Sequence, residues 1–165
     1  MKKTFFIVAL FIGVLLFAGG YADSRYRTAL GHAAPALSVG RADSMITLDR
    51  MRGRYVLLNF WSSTDAASRQ AVNEYRAWKR RNPDVGLELV GVNFDESEKL
   101  FREIVRLDSL CPADQYHVAG DTARAIVDNY GLDNGYGSVL ISPEGRIIAI
   151  NPSDTELAGL LPDCP

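Results

Sequence analysis

From Tyr55 to Trp61 the chain reads Tyr-Val-Leu-Leu-Asn-Phe-Trp, a short apolar run without alternation. Such a run suits a strand covered on both faces, so a central strand of a parallel or mixed sheet is predicted there. From Asp65 to Arg81 the period changes: Ala67, Ala71, Val72, Tyr75 and Trp78 recur at helical spacing, and Asn82-Pro83 stops the helix. Leu87 to Asn93 predicts the next strand. Ser97 to Asp108 predicts a helix capped by Ser97 or Asp95, with Leu100, Phe101, Ile104 and Leu107 turned inward. A short strand over Gln115 to Ala119 and a helix from Asp121 to Tyr130, stopped at Gly131, come next. Ser138 to Ile141 and Arg146 to Ile150, joined by Ser-Pro-Glu-Gly, predict a hairpin, and Thr155 to Leu161 a closing helix. Strands alternating with helices and ending in a hairpin imply an α/β domain whose mixed central sheet carries helices on both faces.

The N-terminus follows a different pattern. Met1-Lys2-Lys3 precedes an uncharged apolar run and the small-residue end Gly20-Tyr21-Ala22, the layout of an export signal cut before Asp23. The uncharged run from Thr4 to Ala22 also measures ~28 Å as a helix, enough to stay in a bilayer as an anchor. Residues 1–22 are therefore expected to be a signal peptide or membrane anchor. Residues 23–34, of mixed charge and without periodicity, read as a linker, and 35–165 as the folded domain. The domain is expected to work outside the cytoplasm, secreted or held at the outer face of an inner membrane.

Composition narrows the chemistry. The 165 residues carry 18 Lys and Arg against 20 Asp and Glu, and loss of Lys2 and Lys3 moves the net charge from -2 to -4. No basic field for nucleic acid remains. Two cysteines, Cys111 and Cys164, and two histidines, His32 and His117, are too few and too scattered for a zinc framework, and no phosphate-cradling glycine loop occurs. Neither a metal nor a cofactor is expected. His117 reads as a surface or half-buried sheet residue, and Arg76, Lys79, Arg80 and Arg81 as a solvated helix face that could meet anionic lipid if the anchor is retained.

Val56-Leu-Leu-Asn-Phe-Trp-Ser-Ser-Thr-Asp-Ala-Ala-Ser-Arg69 resembles the pattern V-L-L-N-F-W-A-S-W-C-x-x-C-R of exported thioredoxin-like oxidoreductases of the TlpA/ResA type. Gly31 to Ala36, Ile46 to Tyr55, Val90 to Asp95, Tyr130 to Leu132 and Leu140 to Ile147 are similar to further segments of that family, in the same order. The resemblance implies a thioredoxin-like fold and a redox ancestry. It also shows what has changed. The two cysteine positions fall on Asp65 and Ser68, and the tryptophan before the first cysteine falls on Thr64. The family's cis-proline falls on Tyr136, and no proline stands between Pro112 and Pro143.

Disulfide exchange needs an attacking thiolate and a resolving sulfur, and neither a carboxylate nor an unactivated hydroxyl replaces them. Asp65 at a helix start is explained by capping alone. The expectation is thus a non-catalytic module with an ordinary trans bond at Tyr136. It would bind a protein or peptide across a groove for which Trp61, Thr64, Asp65, Tyr136 and Gly137 are the candidates, or serve as an assembly subunit. Trp61, ending a buried strand, also reads as core. Cys111 and Cys164 are candidates for a structural disulfide, and the alternative function is an atypical thiol-disulfide oxidoreductase using that pair.

Overall fold

The computed structural model describes residues 30–40 and 44–161. The signal or anchor segment, most of the linker, and Cys164 lie outside the described residues. β1 (Ser38–Val39) and β2 (Ile46–Thr47) form a two-stranded antiparallel ribbon. A second sheet holds β3 (Tyr55–Trp61), β4 (Leu87–Asn93), β5 (Gln115–His117), β6 (Ser138–Ile141) and β7 (Ile147–Ile150) in the order β5-β4-β3-β6-β7. β3, β4 and β5 run parallel, and β6 and β7 are antiparallel to their neighbours. The apolar run 55–61 is thus the middle strand, as its lack of alternation required.

Alternate residues of β3 face two cores. Val56, Leu58 and Phe60 pack with Val90, Val92 and, from α3 (Gly120–Tyr130), Ile126 and Tyr130. On the opposite face Leu57 meets Tyr75 and Trp78 of α1 (Ala66–Arg81) and Leu157 of α4 (Asp154–Leu160). Trp61, on that same face, packs on Val72 and on Phe101, Ile104 and Val105 of α2 (Glu98–Leu107). Helices therefore cover both faces of the sheet. Burying one such side chain is worth about 1.5–3 kcal/mol, so β3, sealed on both sides, is the element that organises the rest.

Several expectations shift. The buried stripe of α1 is Ser68, Val72, Tyr75 and Trp78, while Ala67 is exposed. A polar residue thus starts the inward face. In α2, Phe101, Ile104 and Val105 point inward, whereas Leu100 and Leu107 are 42% and 57% exposed. The inward trio follows i, i+3, i+4 spacing, and Leu100 and Leu107, seven apart, share a neighbouring face that reaches solvent. β5 stops at His117 rather than Ala119. Ordered contacts also begin before Pro35. Gly31 N–H donates to Ile147 O at 2.7 Å, Ile147 N–H to His32 O at 2.9 Å, and Ala34 N–H to Gly145 O at 2.9 Å. The end of the presumed linker is laid against the start of β7.

Candidate functional site

The parallel strand β3 delivers its C-terminus directly to the start of α1, so residues 62–65 form a tight connection at one end of the sheet. Asp65 is the N-cap of α1: its Oδ1 accepts from Ser68 N–H at 2.7 Å, and Ser68 Oγ donates to Asp65 O at 3.2 Å. The carboxylate at this position is fully accounted for by capping and by the helix dipole. Ser68 is buried and turned toward the sheet, where its carbonyl accepts from Asn59 Nδ2 at 3.4 Å. Asn59 Oδ1 in turn accepts from the Ser138 hydroxyl at 2.6 Å, so a buried polar chain joins the helix start to β6.

Beneath the connection stands Asp95, 4% exposed. Its Oδ1 accepts from the Ser62 hydroxyl at 2.8 Å, Ser63 N–H at 2.8 Å and the Ser63 hydroxyl at 2.9 Å, and its Oδ2 from Asn93 Nδ2 at 3.0 Å. Burial disfavours the charged form, but these donors outweigh it, and the pKa lies below the usual carboxylate value. Asp95 O also meets His117 Nε2 at 2.7 Å, which places that histidine as a half-buried sheet residue. Sequence reasoning gave Asp95 only a capping role, which Ser97 takes instead: its side chain accepts from Leu100 N–H. The polar pair Asn93 and Asp95 at the end of an otherwise apolar strand was the signal available.

Trp61 leaves the set of groove candidates. Its side chain is fully buried, and its indole N–H donates to Gln115 Oε1 at 3.0 Å, so it supports the site from below. Thr64 is exposed and Asp65 half-buried at the surface. Opposite them runs the segment Tyr136-Gly137, which enters β6. Every peptide bond among the described residues is trans, that of Tyr136 included. The Tyr136 ring stacks on Phe94, centroids 5.3 Å apart at 27°. Burial raises its phenol pKa, and the Asp95 and Asp65 carboxylates add to that.

Gly137 O accepts from Phe60 N–H at 2.9 Å, and Asn151 Oδ1 accepts from Ser138 N–H at 2.7 Å, fixing the segment at both edges. A side chain at 137 would bring its Cβ to 2.8 Å from Asn151 Oδ1, so any other residue must displace the amide that accepts from Ser138 N–H. Asn151 holds φ +48°, a left-handed value that asparagine tolerates. Within this fixed segment Tyr136 N–H, Tyr136 C=O and Gly137 N–H bond to no other described residue. An extended chain laid alongside Tyr136 finds one open backbone donor and one open acceptor there, the Tyr136 N–H and C=O.

Cys111 does not join this site. Arg69 grips Asp108 with two bonds of 2.5 Å, and Arg76, two turns further along α1, donates to Ser109 O at 2.8 Å. The chain therefore descends along α1, away from Asp65, before it reaches Cys111. Among the described residues no group of three or more His, Cys, Asp or Glu could hold a metal ion, and no helix is long and apolar enough to cross a membrane.

A central strand feeding a capped helix, faced by the loop that enters an antiparallel strand, defines a protein of thioredoxin-like fold. The chain belongs to the AhpC/TSA family, whose model matches residues 30–150. The thiol-disulfide oxidoreductase ResA of Bacillus thuringiensis (strain Al Hakam) is 24% identical over 138 residues, covering 83% of this chain and 77% of that one. ResA of Bacillus subtilis (strain 168) is 27% identical over 109 residues, covering 64% and 56%. Among solved structures, the thioredoxin domain of a thiol-disulfide oxidoreductase from Bacteroides vulgatus superposes with a TM-score of 0.70 at 22% identity, over 80% of this chain and 94% of that one. A thioredoxin-like protein from Parabacteroides distasonis gives 0.68 at 28% identity, over 81% and 94%.

Proposed function

We propose that this chain is an exported thioredoxin-fold domain that binds an extended protein or peptide segment in the groove between Thr64-Asp65 and Tyr136-Gly137, without thiol chemistry there. The observation that carries the reading is the contrast within the site. Behind the groove the polar side chains of Ser62, Ser63, Asn59 and Asp95 are satisfied by one another, while the Tyr136-Gly137 backbone at its rim has open hydrogen-bonding groups. With Asp65 and Ser68 at the helix start, no sulfur is available to attack a disulfide or to resolve one. In this reading the scaffold of an oxidoreductase family offers a binding surface without the family's nucleophile.

In this reading residues 1–22 export the chain and are either removed or kept as an anchor, the linker residues before Gly31 tether it, and the domain meets its partner outside the cytoplasm. Intact-mass measurement of the chain from cells, alkylated without reductant, reads the cleavage and the state of Cys111 and Cys164 together. Crosslinking in intact cells tests the groove. Capture of an extracytoplasmic protein that Tyr136→Ala abolishes is the expected result, and capture unchanged by that substitution overturns it. The family's oxidoreductases favour a second reading, exchange through Cys111 and Cys164. Insulin reduction that disappears in Cys111→Ser would establish it.

A further inference from the structure

The chain holds seven asparagines, and the fold sorts them by whether the next residue's nitrogen is free to meet the side-chain amide. Asn82 and Asn151 precede proline, which has no N–H to offer. Asn59 and Asn93 are buried in β3 and β4, each with its amide hydrogen-bonded. Asn73 and Asn129 sit inside α1 and α3, where the following N–H belongs to the helix ladder and the following residue carries a bulky side chain. Asn134 differs on every count. It ends the short 3-10 turn Leu132–Asn134, is exposed, and precedes Gly135, which is exposed as well. Its side-chain amide bonds to no other described residue. Apart from its chain neighbours, no atom stands within 4 Å of where a Cβ on Gly135 would be. One bond restrains the pair: Gly135 N–H donates to Leu132 O at 3.1 Å, across a turn open to solvent.

From this arrangement we infer that Asn134 is a site of spontaneous, one-way modification, losing its amide through a cyclic imide closed by Gly135. The Gly135 nitrogen attacks Asn134 Cγ and forms the ring C–N bond, while the side-chain nitrogen leaves as ammonia and takes up the Gly135 proton. Water then breaks one of the two imide C–N bonds. Opening at Cγ leaves aspartate. Opening at the main-chain carbonyl leaves isoaspartate, in which the chain runs through the former side chain and is longer by a carbon. Nothing is oxidised or reduced, and water is the only co-reactant. The site lies two positions before Tyr136. Gly137 O is held by Phe60 N–H and Ser138 N–H by Asn151, so the added length, or the new charge beside Asp133, falls on Gly135 and Tyr136. On the binding reading above, the rim of the groove is thus altered once and irreversibly, whereas the site itself stands independently of that reading.

The test incubates the full folded chain in mildly alkaline buffer, in parallel with the same chain in guanidinium chloride, and maps both by proteolysis and mass spectrometry over time. In the folded chain the peptide carrying Asn134 is expected to gain the amide-to-acid mass and to split into two chromatographic isomers, isoaspartate in excess of aspartate. The peptides carrying Asn73 and Asn129 should stay unchanged over the same interval. Conversion at Asn134 should run about fivefold more slowly than in denaturant, the cost of opening the one turn hydrogen bond. Asn134→Gln, at an exposed position, should keep the urea midpoint of the native chain and remain unmodified. The inference is overturned if Asn134 stays intact in the folded chain while converting in denaturant, since the turn then protects it. It is equally overturned if Asn73 converts as fast as Asn134, or if aspartate forms without isoaspartate, because the imide is then not the route.

Discussion

The Asp95 carboxylate accepts the Ser62 hydroxyl at 2.8 Å, tying the loop after β4 to the loop after β3 from 33 positions away. Because the same group takes three further donors, its folded-state pKa lies below the ordinary value. A carboxylate depressed in this way contributes stability that is present above its unfolded pKa, ~3.9, and lost as pH falls through its folded pKa. Asp108, depressed by its bond to Arg69, acts in the same direction, while Asp114, raised by burial, opposes both. Unfolding midpoints in urea should therefore fall steeply below about pH 4 in the native chain. Asp95→Asn should lower stability at pH 7 by roughly 1–3 kcal/mol, since an amide offers donors where donors already point, and should flatten the acid limb. Parallel titrations that superimpose over the whole range would refute this role.

Trp61 is held by a glycine it does not touch. Its indole N–H reaches Gln115 Oε1, and a Cβ on Gly91 would stand 2.1 Å from that same oxygen. Gly91→Ala should therefore expel the Gln115 amide, leave the buried indole N–H unpaired and cost about 2–4 kcal/mol. Gln115→Ala removes the obstruction and the acceptor together. The double variant should then be no less stable than Gly91→Ala, a non-additivity measured by a double-mutant cycle in denaturant. Additive losses would mean that the two residues do not share this space.

The strands β3, β4 and β6 begin and end where the hydrophobic pattern places them, because β3 and β6 are buried almost throughout and β4 over most of its length, which tolerates no slip of register. Helix existence was equally legible, helix orientation less so. Leu100 and Leu107 are as apolar as Phe101 and Val105, and only the position of β5 and of the loop after α2 decides which of them meets Trp61. The site divides the same way. Asp65 as a cap follows from local chemistry. The Asp95 cluster gathers Ser62, Ser63 and Asn93 through parallel pairing of β3 with β4, a long-range fact that no window of sequence contains. Trp61 was readable as core from its strand, and membership in the family motif is what drew it toward the groove.

Capping at Asp65 has a direct consequence for stability. Its side chain satisfies one of the four N–H groups left open at the start of α1. Asp65→Ala should lose about 0.5–2 kcal/mol, and Asp65→Asn no more than a few tenths, in equilibrium unfolding at neutral pH. A loss for Asn as large as for Ala would assign the residue to charge rather than to hydrogen bonding, contrary to the geometry.

The scaffold's redox competence can be tested by giving it the missing sulfurs. Asp65 and Ser68 stand one helical turn apart at N-cap and N3, near the ~5.5 Å Cα separation that a disulfide bridges, and the N-terminus of α1 favours a thiolate. In Asp65→Cys/Ser68→Cys the half-exposed outer thiolate should attack oxidised glutathione, releasing one glutathione thiolate and forming a mixed disulfide. The buried inner thiolate then attacks the outer sulfur, closes the intramolecular bond and releases the second glutathione. Alkylation followed by mass measurement should find both introduced thiols protected after oxidation and both reactive after reduction, in a Cys111→Ser/Cys164→Ser background that removes the two native thiols. A single glutathione adduct that persists would mean that Ser68's position cannot reach its neighbour. In that case the change at this helix start runs deeper than two side chains.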